Sequence, residues 1–127
     1  RYLMGVGHPV DIIEGVLAGV DMFDCVLPTR NARHGIAFTM DGSLNLRNAR
    51  FSQDFLPIEE GCDCMTCQGF SRSYIRHLLI ARESLAWTLI SIHNLRFFQR
   101  FMEIVRRRLA DGTLLNFRHH IAQVYSG

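Results

Sequence analysis

Polar and apolar positions change their period several times along the chain, and each change marks an element. Residues 1–7, "RYLMGVG", form a short apolar run ending in glycines and predict a strand. Pro9 suits the first turn of a helix. Over 10–19, Val10, Ile13 and Leu17 recur at helical spacing, with Ile12 and Val16 beside them, and Gly19 suits the stop. Residues 20–28, "VDMFDCVLP", return as a second buried strand. Strand, helix and strand in this order predict a βαβ unit with parallel strands and a right-handed crossover. The pattern then changes. Residues 29–35 are polar and loop-like, and 36–40 and 44–51 read as a hairpin-like pair of strands around "DGS". Residues 56–71 are turn-rich. Ser71 or Ser73 caps a first helix reaching about Arg82. Residues 83–109 predict a long amphipathic helix whose stripe includes Leu85, Leu89, Ile92, Phe97, Phe101, Ile104 and Val105. "DG" at 111–112 ends it, and 113–124 reads as a last short helix.

Composition places this pattern in a globular protein. The 127 residues suit one ordinary domain, and 48% hydrophobic with 20% charged residues excludes a disordered chain. The longest apolar runs are too short to span a bilayer, and there is no signal-peptide pattern. The first residue, Arg1, falls inside an apparent strand, so a piece of a longer protein is expected. All fourteen basic residues are Arg, against twelve acidic ones, giving a net charge of +2. Arginine's planar fork suits phosphate and base edges, although a compositional bias towards Arg reads the same way. Arg30, Arg33, Arg47 and Arg50 fall in one loop-rich stretch. Arg106, Arg107 and Arg108 end the long helix, where positive charge suits the dipole and a solvated helix end is expected.

Two features carry chemistry. "CDCMTC" places Cys62, Cys64 and Cys67 as C-x-C-x₂-C on a turn-rich loop. Thiols this close can converge on one ion, whereas disulfides need a secreted context and better separation than C-x-C allows. Zinc wants a fourth ligand. Cys25 reads as core, and spacing leaves both His77 and His93 open. Three thiolates and a neutral imidazole would make a closed, structural site. The second feature is Asp24, a carboxylate between Phe23 and Cys25 at the end of the second strand. Such a group either bonds loop amides or has work to do at the strand end, where α/β proteins place their sites. The first strand ends at Met4-Gly5-Val6-Gly7, whose glycines would let a ligand approach, or merely make a tight turn.

"RYLMGVG", "GVDMFDCVLPTRNARHG", "LNLRNARF", "CDCMTC" and "IHNLRFFQRFM" together resemble the C-terminal part of bacterial tRNA-guanine transglycosylases, also called queuine tRNA-ribosyltransferases. The likeness runs over nearly the whole chain, in order. The resemblance implies an α/β fold: the end of an irregular (β/α)₈ TIM barrel with an inserted zinc-binding subdomain and C-terminal helices. It implies a last βαβ unit over 1–34, a zinc-binding subdomain over 35–95 and closing helices over 96–127. It also implies an enzyme of about three times this length, cytoplasmic and homodimeric. Such an enzyme exchanges guanine at the wobble position of tRNAs with a GUN anticodon for a 7-deazaguanine base, the aminomethyl precursor in bacteria.

By the same resemblance Asp24 is the nucleophile that forms a covalent ribosyl-enzyme. Tyr2 and Gly5 flank it, and Met4 contacts the bound base. Arg30, Arg33 and Asp11 lie against anticodon-loop nucleotides. Cys62, Cys64, Cys67 and His93 hold one structural Zn²⁺. His8 departs from the lysine common in the family, and His34 follows Arg33 where other residues are common. The family's base-recognising aspartate and a second carboxylate for proton transfer lie upstream of the matched part, so these 127 residues alone are expected to be inactive. Two rival readings are a non-catalytic RNA-binding subunit of the family and a zinc-stabilised interaction module that dimerises through the 83–109 helix. The intact "FDCVLPTR" argues against the first.

Overall fold

The longest element, α5 (Leu85–Asp111), buries one stripe: Ala86, Leu89, Ile90, His93, Asn94, Phe97, Phe101 and Val105. This comes from a computed structural model that describes residues 1–125, without the side chains of Leu3 and Asp24. The other elements, in chain order, are β1 (Tyr2–Met4), α1 (Pro9–Leu17), β2 (Met22–Asp24), α2 (Leu27–Arg33), β3 (Ile36–Thr39), β4 (Gly42–Asn45), a 3₁₀ turn (Ala49–Phe51), α3 (Met65–Gly69), α4 (Arg72–Ile80) and α6 (Leu114–Val124). No described helix is long and apolar enough to cross a membrane.

The chain divides into two compact units. The first holds Arg1–Leu27, Met40–Gly42 and the chain from Gln99. Here β1 and β2 pair in parallel, with Tyr2 opposite Met22, Leu3 opposite Phe23 and Met4 opposite Asp24. α1 begins at Pro9 in its first turn, buries Ile12 and Ile13, and meets α6, where Arg118 pairs with Glu14 at 2.6 Å. Phe101 packs on Phe117, with ring centroids 5.6 Å apart.

The second unit holds Pro28–Thr39 and Ser43–Phe98. Its core gathers Leu46, Phe51, Ile58, Ile75, Leu79 and Leu89, among others. Arg72 at the start of α4 ties down the preceding loop. Its guanidinium donates to the carbonyls of Pro57 (2.9 Å) and Ile58 (3.0 Å) and pairs with Asp54 at 3.0 Å. Asn94 serves β3 in the same way. Its Oδ1 accepts the Phe38 N–H (3.0 Å) and its Nδ2 donates to the carbonyls of Ile36 (3.1 Å) and Pro28 (3.0 Å). A buried polar side chain is tolerated when its groups are paired in this way.

Several local expectations are corrected. The strand expected over 20–28 is only Met22–Asp24, and Met22 and Val26 are exposed, not buried. The expected loop at 29–35 is mostly α2; Pro28 suits its first turn, where no N–H is needed. Only Ala32 of this helix is buried, which is why its sequence reads as loop. The second hairpin strand starts at Gly42, earlier than expected, and the chain at 49–51 is a 3₁₀ turn. Leu85 is exposed, and Ile92 and Ile104 are half-buried, because the buried stripe of α5 runs through His93 and Asn94. An apolar-only pattern could not place that face. Ser71, rather than Ser73, caps α4, accepting from the Tyr74 N–H.

Asn94 is therefore expected to be a stability determinant. Asn94→Ala leaves three backbone groups without their partner and should cost about 3 kcal/mol, at about 1–3 kcal/mol per unsatisfied buried group with partial relaxation. Urea denaturation measures it.

Candidate metal centre

Four donors from two stretches of chain converge in the second unit. Cys62 and Cys64 come from the loop before α3, Cys67 from α3 and His93 from the middle of α5. Their ligating atoms all lie within 4.8 Å of one another. His93 Nδ1 stands 3.6 Å from Cys62 Sγ, 3.6 Å from Cys64 Sγ and 3.3 Å from Cys67 Sγ. A tetrahedral ion with Zn–S of about 2.3 Å and Zn–N of about 2.0 Å requires S···N separations of about 3.5–3.6 Å. Two of the three separations match this spacing, and the third, to Cys67, is slightly shorter. All four positions come from protein, so a bound ion would have a structural role and no open position for substrate.

The surroundings orient these donors. The His93 ring is fully buried, and its Nε2 lies 2.7 Å from the Phe38 carbonyl. A carbonyl only accepts, so Nε2 carries the proton and the Nδ1 lone pair faces the sulfurs. Cys64 caps α3, its Sγ accepting the Cys67 N–H at 3.3 Å. Gln68 donates to the Cys62 carbonyl at 3.0 Å, and Thr66 donates to the Leu89 carbonyl at 2.6 Å, joining α3 to α5. Arg96 pairs with Asp63 at 2.6 Å and holds the loop from outside.

Burial and mutual charge push the thiols apart in acidity. Burial opposes charge on Cys64, but the contacts with His93, the Cys67 amide and the other thiols outweigh it and bring the thiol down to about 6. Burial pushes Cys67 the other way, above the ordinary thiol range, and charge on Cys64 and Cys62 adds to this. A positive ion among the sulfurs would favour their ionising together.

In the first unit, parallel pairing brings Met4 and Asp24 opposite each other at the last residues of β1 and β2. Gly5, the next residue, has φ +76°, a left-handed turn that glycine adopts without strain. Tyr2 and Met4 are exposed, and Asp11 is exposed in the first turn of α1.

A sequence profile of the family described as Queuine tRNA-ribosyltransferase matches residues 1–127. The chain belongs to the queuine tRNA-ribosyltransferase family. It is 64% identical over 118 residues to the queuine tRNA-ribosyltransferase of Symbiobacterium thermophilum, covering 93% of this chain and 30% of that protein. To the enzyme of the same name from Dictyoglomus turgidum it is 50% identical over 125 residues, covering 98% and 32%. To that of Caldanaerobacter subterraneus subsp. tengcongensis it is 52% identical over 127 residues, covering 100% and 34%. The chain thus spans about a third of the length of the curated queuine tRNA-ribosyltransferases it matches.

Of the residues singled out by likeness to queuine tRNA-ribosyltransferases, the structure gathers Cys62, Cys64, Cys67 and His93 into one cluster. His77 is exposed against Tyr74, and Cys25 lies half-buried in the other unit, so neither joins it. Arg30 and Arg33 are both exposed in the last turn of α2. The Asp24 side chain lies outside the described part of the structure. Asn94, Thr66 and Gln68, which hold the ligand-bearing segments, were not singled out by spacing. The only signal was a polar "HN" pair inside an otherwise apolar helix face.

Purified protein is expected to carry one zinc per chain by elemental analysis. Strong chelation should deprotect amides over 56–95 in hydrogen exchange. His93→Ala should weaken metal binding by more than about 100-fold, exceeding the effect typical of outer partners. A folded protein without stoichiometric metal contradicts the assignment.

Proposed function

We propose that these residues form the nucleophile-bearing and zinc-bearing third of a tRNA-guanine transglycosylase. In this reading residues 1–34 are the last βαβ unit of an irregular (β/α)₈ barrel, 35–95 the zinc-binding subdomain and 96–127 the closing helices. The observation that supports it most is the parallel register of β1 and β2, with Met4 opposite Asp24 at the strand ends. Barrel enzymes draw their reacting groups from that edge.

The Asp24 carboxylate attacks C1′ of the wobble guanosine in a tRNA with a GUN anticodon. The C1′–Oδ bond forms, the C1′–N9 bond breaks, and guanine departs with the electron pair and takes up a proton. In the second half, N9 of 7-aminomethyl-7-deazaguanine attacks C1′ and gives up its proton, and the ester bond returns its electrons to Asp24. One difficult substitution becomes two easier ones, each through an oxocarbenium-like transition state. Tyr2 and Gly5 hold the carboxylate in place, and Met4 offers its exposed thioether to the base. Asp11, Arg30 and Arg33 meet the neighbouring nucleotides, with the exposure of both arginines in favour of phosphate contacts. When bound, zinc supplies a rigid cross-link and no chemistry. The full enzyme is a cytoplasmic homodimer; the exposed Leu85, Trp87 and Leu95 of α5 support self-association.

The test uses the full-length protein that carries these residues. Asp24→Ala and Asp24→Asn should each abolish both a tRNA adduct trapped on a denaturing gel and exchange of labelled guanine into tRNA. The 127 residues alone should give no exchange, since two strands make only one wall of a pocket. Adduct formation at a normal rate by either variant overturns the assignment.

A further inference from the structure

Two glycines of the first unit sit under the two residues that flank Asp24. A Cβ built on Gly7 would stand 2.5 Å from Cys25 Cβ and 2.6 Å from Cys25 Sγ. A Cβ built on Gly15 would stand 2.8 Å from Cε1 and 3.0 Å from Cζ of the Phe23 ring. Neither glycine is explained by backbone conformation, because neither adopts a left-handed φ. Gly15 is in fact costly where it stands, inside α1, where local preference favours alanine. Both are explained by close approach: α1 presses on Phe23, and the turn after β1 presses on Cys25.

We infer that Gly7 and Gly15 are positioning residues for Asp24: Gly7 fixes the backbone at Cys25, and Gly15 seats the ring of Phe23. The inference rests on the reading of Asp24 as the nucleophile. The Gly7 contact is the more demanding of the two. A clash with a Cβ is not relieved by turning a side chain; the backbone of residue 25 or the turn after β1 must move. Cys25 is also held by its Sγ, which accepts the Leu27 N–H at 3.3 Å as α2 begins. Residue 25 is bonded to Asp24, so a shift there is a shift of the nucleophile. Gly7 itself is buried, which leaves the turn little room to give way instead. A carboxylate that must attack C1′ in line is sensitive to such a shift, with a 1 Å misplacement costing about 10²-fold in rate.

The test uses the full-length protein with Gly7→Ala, Gly15→Ala, Cys25→Gly and the double variant Gly7→Ala/Cys25→Gly. Single-turnover adduct formation, KM for tRNA, zinc content and Tm are measured on each. Gly7→Ala should slow adduct formation by about 10- to 100-fold, with zinc content and KM for tRNA unchanged. The double variant removes the Cβ that the added methyl group would strike, and should react at least several-fold faster than Gly7→Ala alone. Gly15→Ala covers the case in which Gly7→Ala fails to fold. A helix with no special contact gains from alanine, so a rise in Tm with a normal rate overturns the Gly15 assignment. A slower rate supports it. A normal rate in Gly7→Ala, or slowing that Cys25→Gly does not relieve, overturns the Gly7 assignment. An Asp24→Ala control that still forms adduct shows instead that the nucleophile has been misassigned.

Discussion

One imidazole joins the two halves of the second unit. His93 turns Nδ1 to three sulfurs and Nε2 to the carbonyl of Phe38. The first set of contacts ties α5 to the cysteine loop and α3; the second ties it to β3. Asn94, the next residue, adds the Phe38 N–H and the Ile36 and Pro28 carbonyls. Two adjacent polar residues on the buried face of one helix thus organise the loop, the short helix and the strand around it. Buried polar groups are costly unless fully paired, and here each has its partners. That explains why a turn-rich stretch of about sixteen residues can hold a defined shape without supplying much core.

The first unit works by a different rule. Its two strands are three residues each and place exposed side chains, Tyr2, Met4 and Met22, beside the expected reacting position. Such a pair has little stability of its own. Around it, Gly7 and Gly15 let the chain come close to Cys25 and Phe23, and α1 seats against α6.

Much of this was legible in the sequence, for identifiable reasons. α1, α4, α5 and α6 announced themselves through caps and helical spacing, because a stop at Gly19 or a cap at Ser71 acts locally. The βαβ order followed from the alternation of apolar runs. The three cysteines were legible as a metal loop, but spacing alone could not choose between His77 and His93; that needed the family likeness, and the structure places His93 among the sulfurs. What stayed hidden depends on tertiary partners. Asn94 looks like an interruption of an apolar stripe until its three backbone partners are seen. α2 looks like a loop because it buries little more than Ala32. Gly7 looks like a turn residue, and nothing in the pattern singles out Gly15, until the side chains above them are in view.

The central claim is that a closed Cys₃His centre organises the second unit. X-ray absorption at the zinc edge of the purified protein tests it most directly. The account predicts three sulfurs at about 2.3 Å and one nitrogen at about 2.0–2.1 Å, with no oxygen in the shell. A shell with fewer than three sulfurs, or with a water or carboxylate oxygen in place of the imidazole, would contradict it.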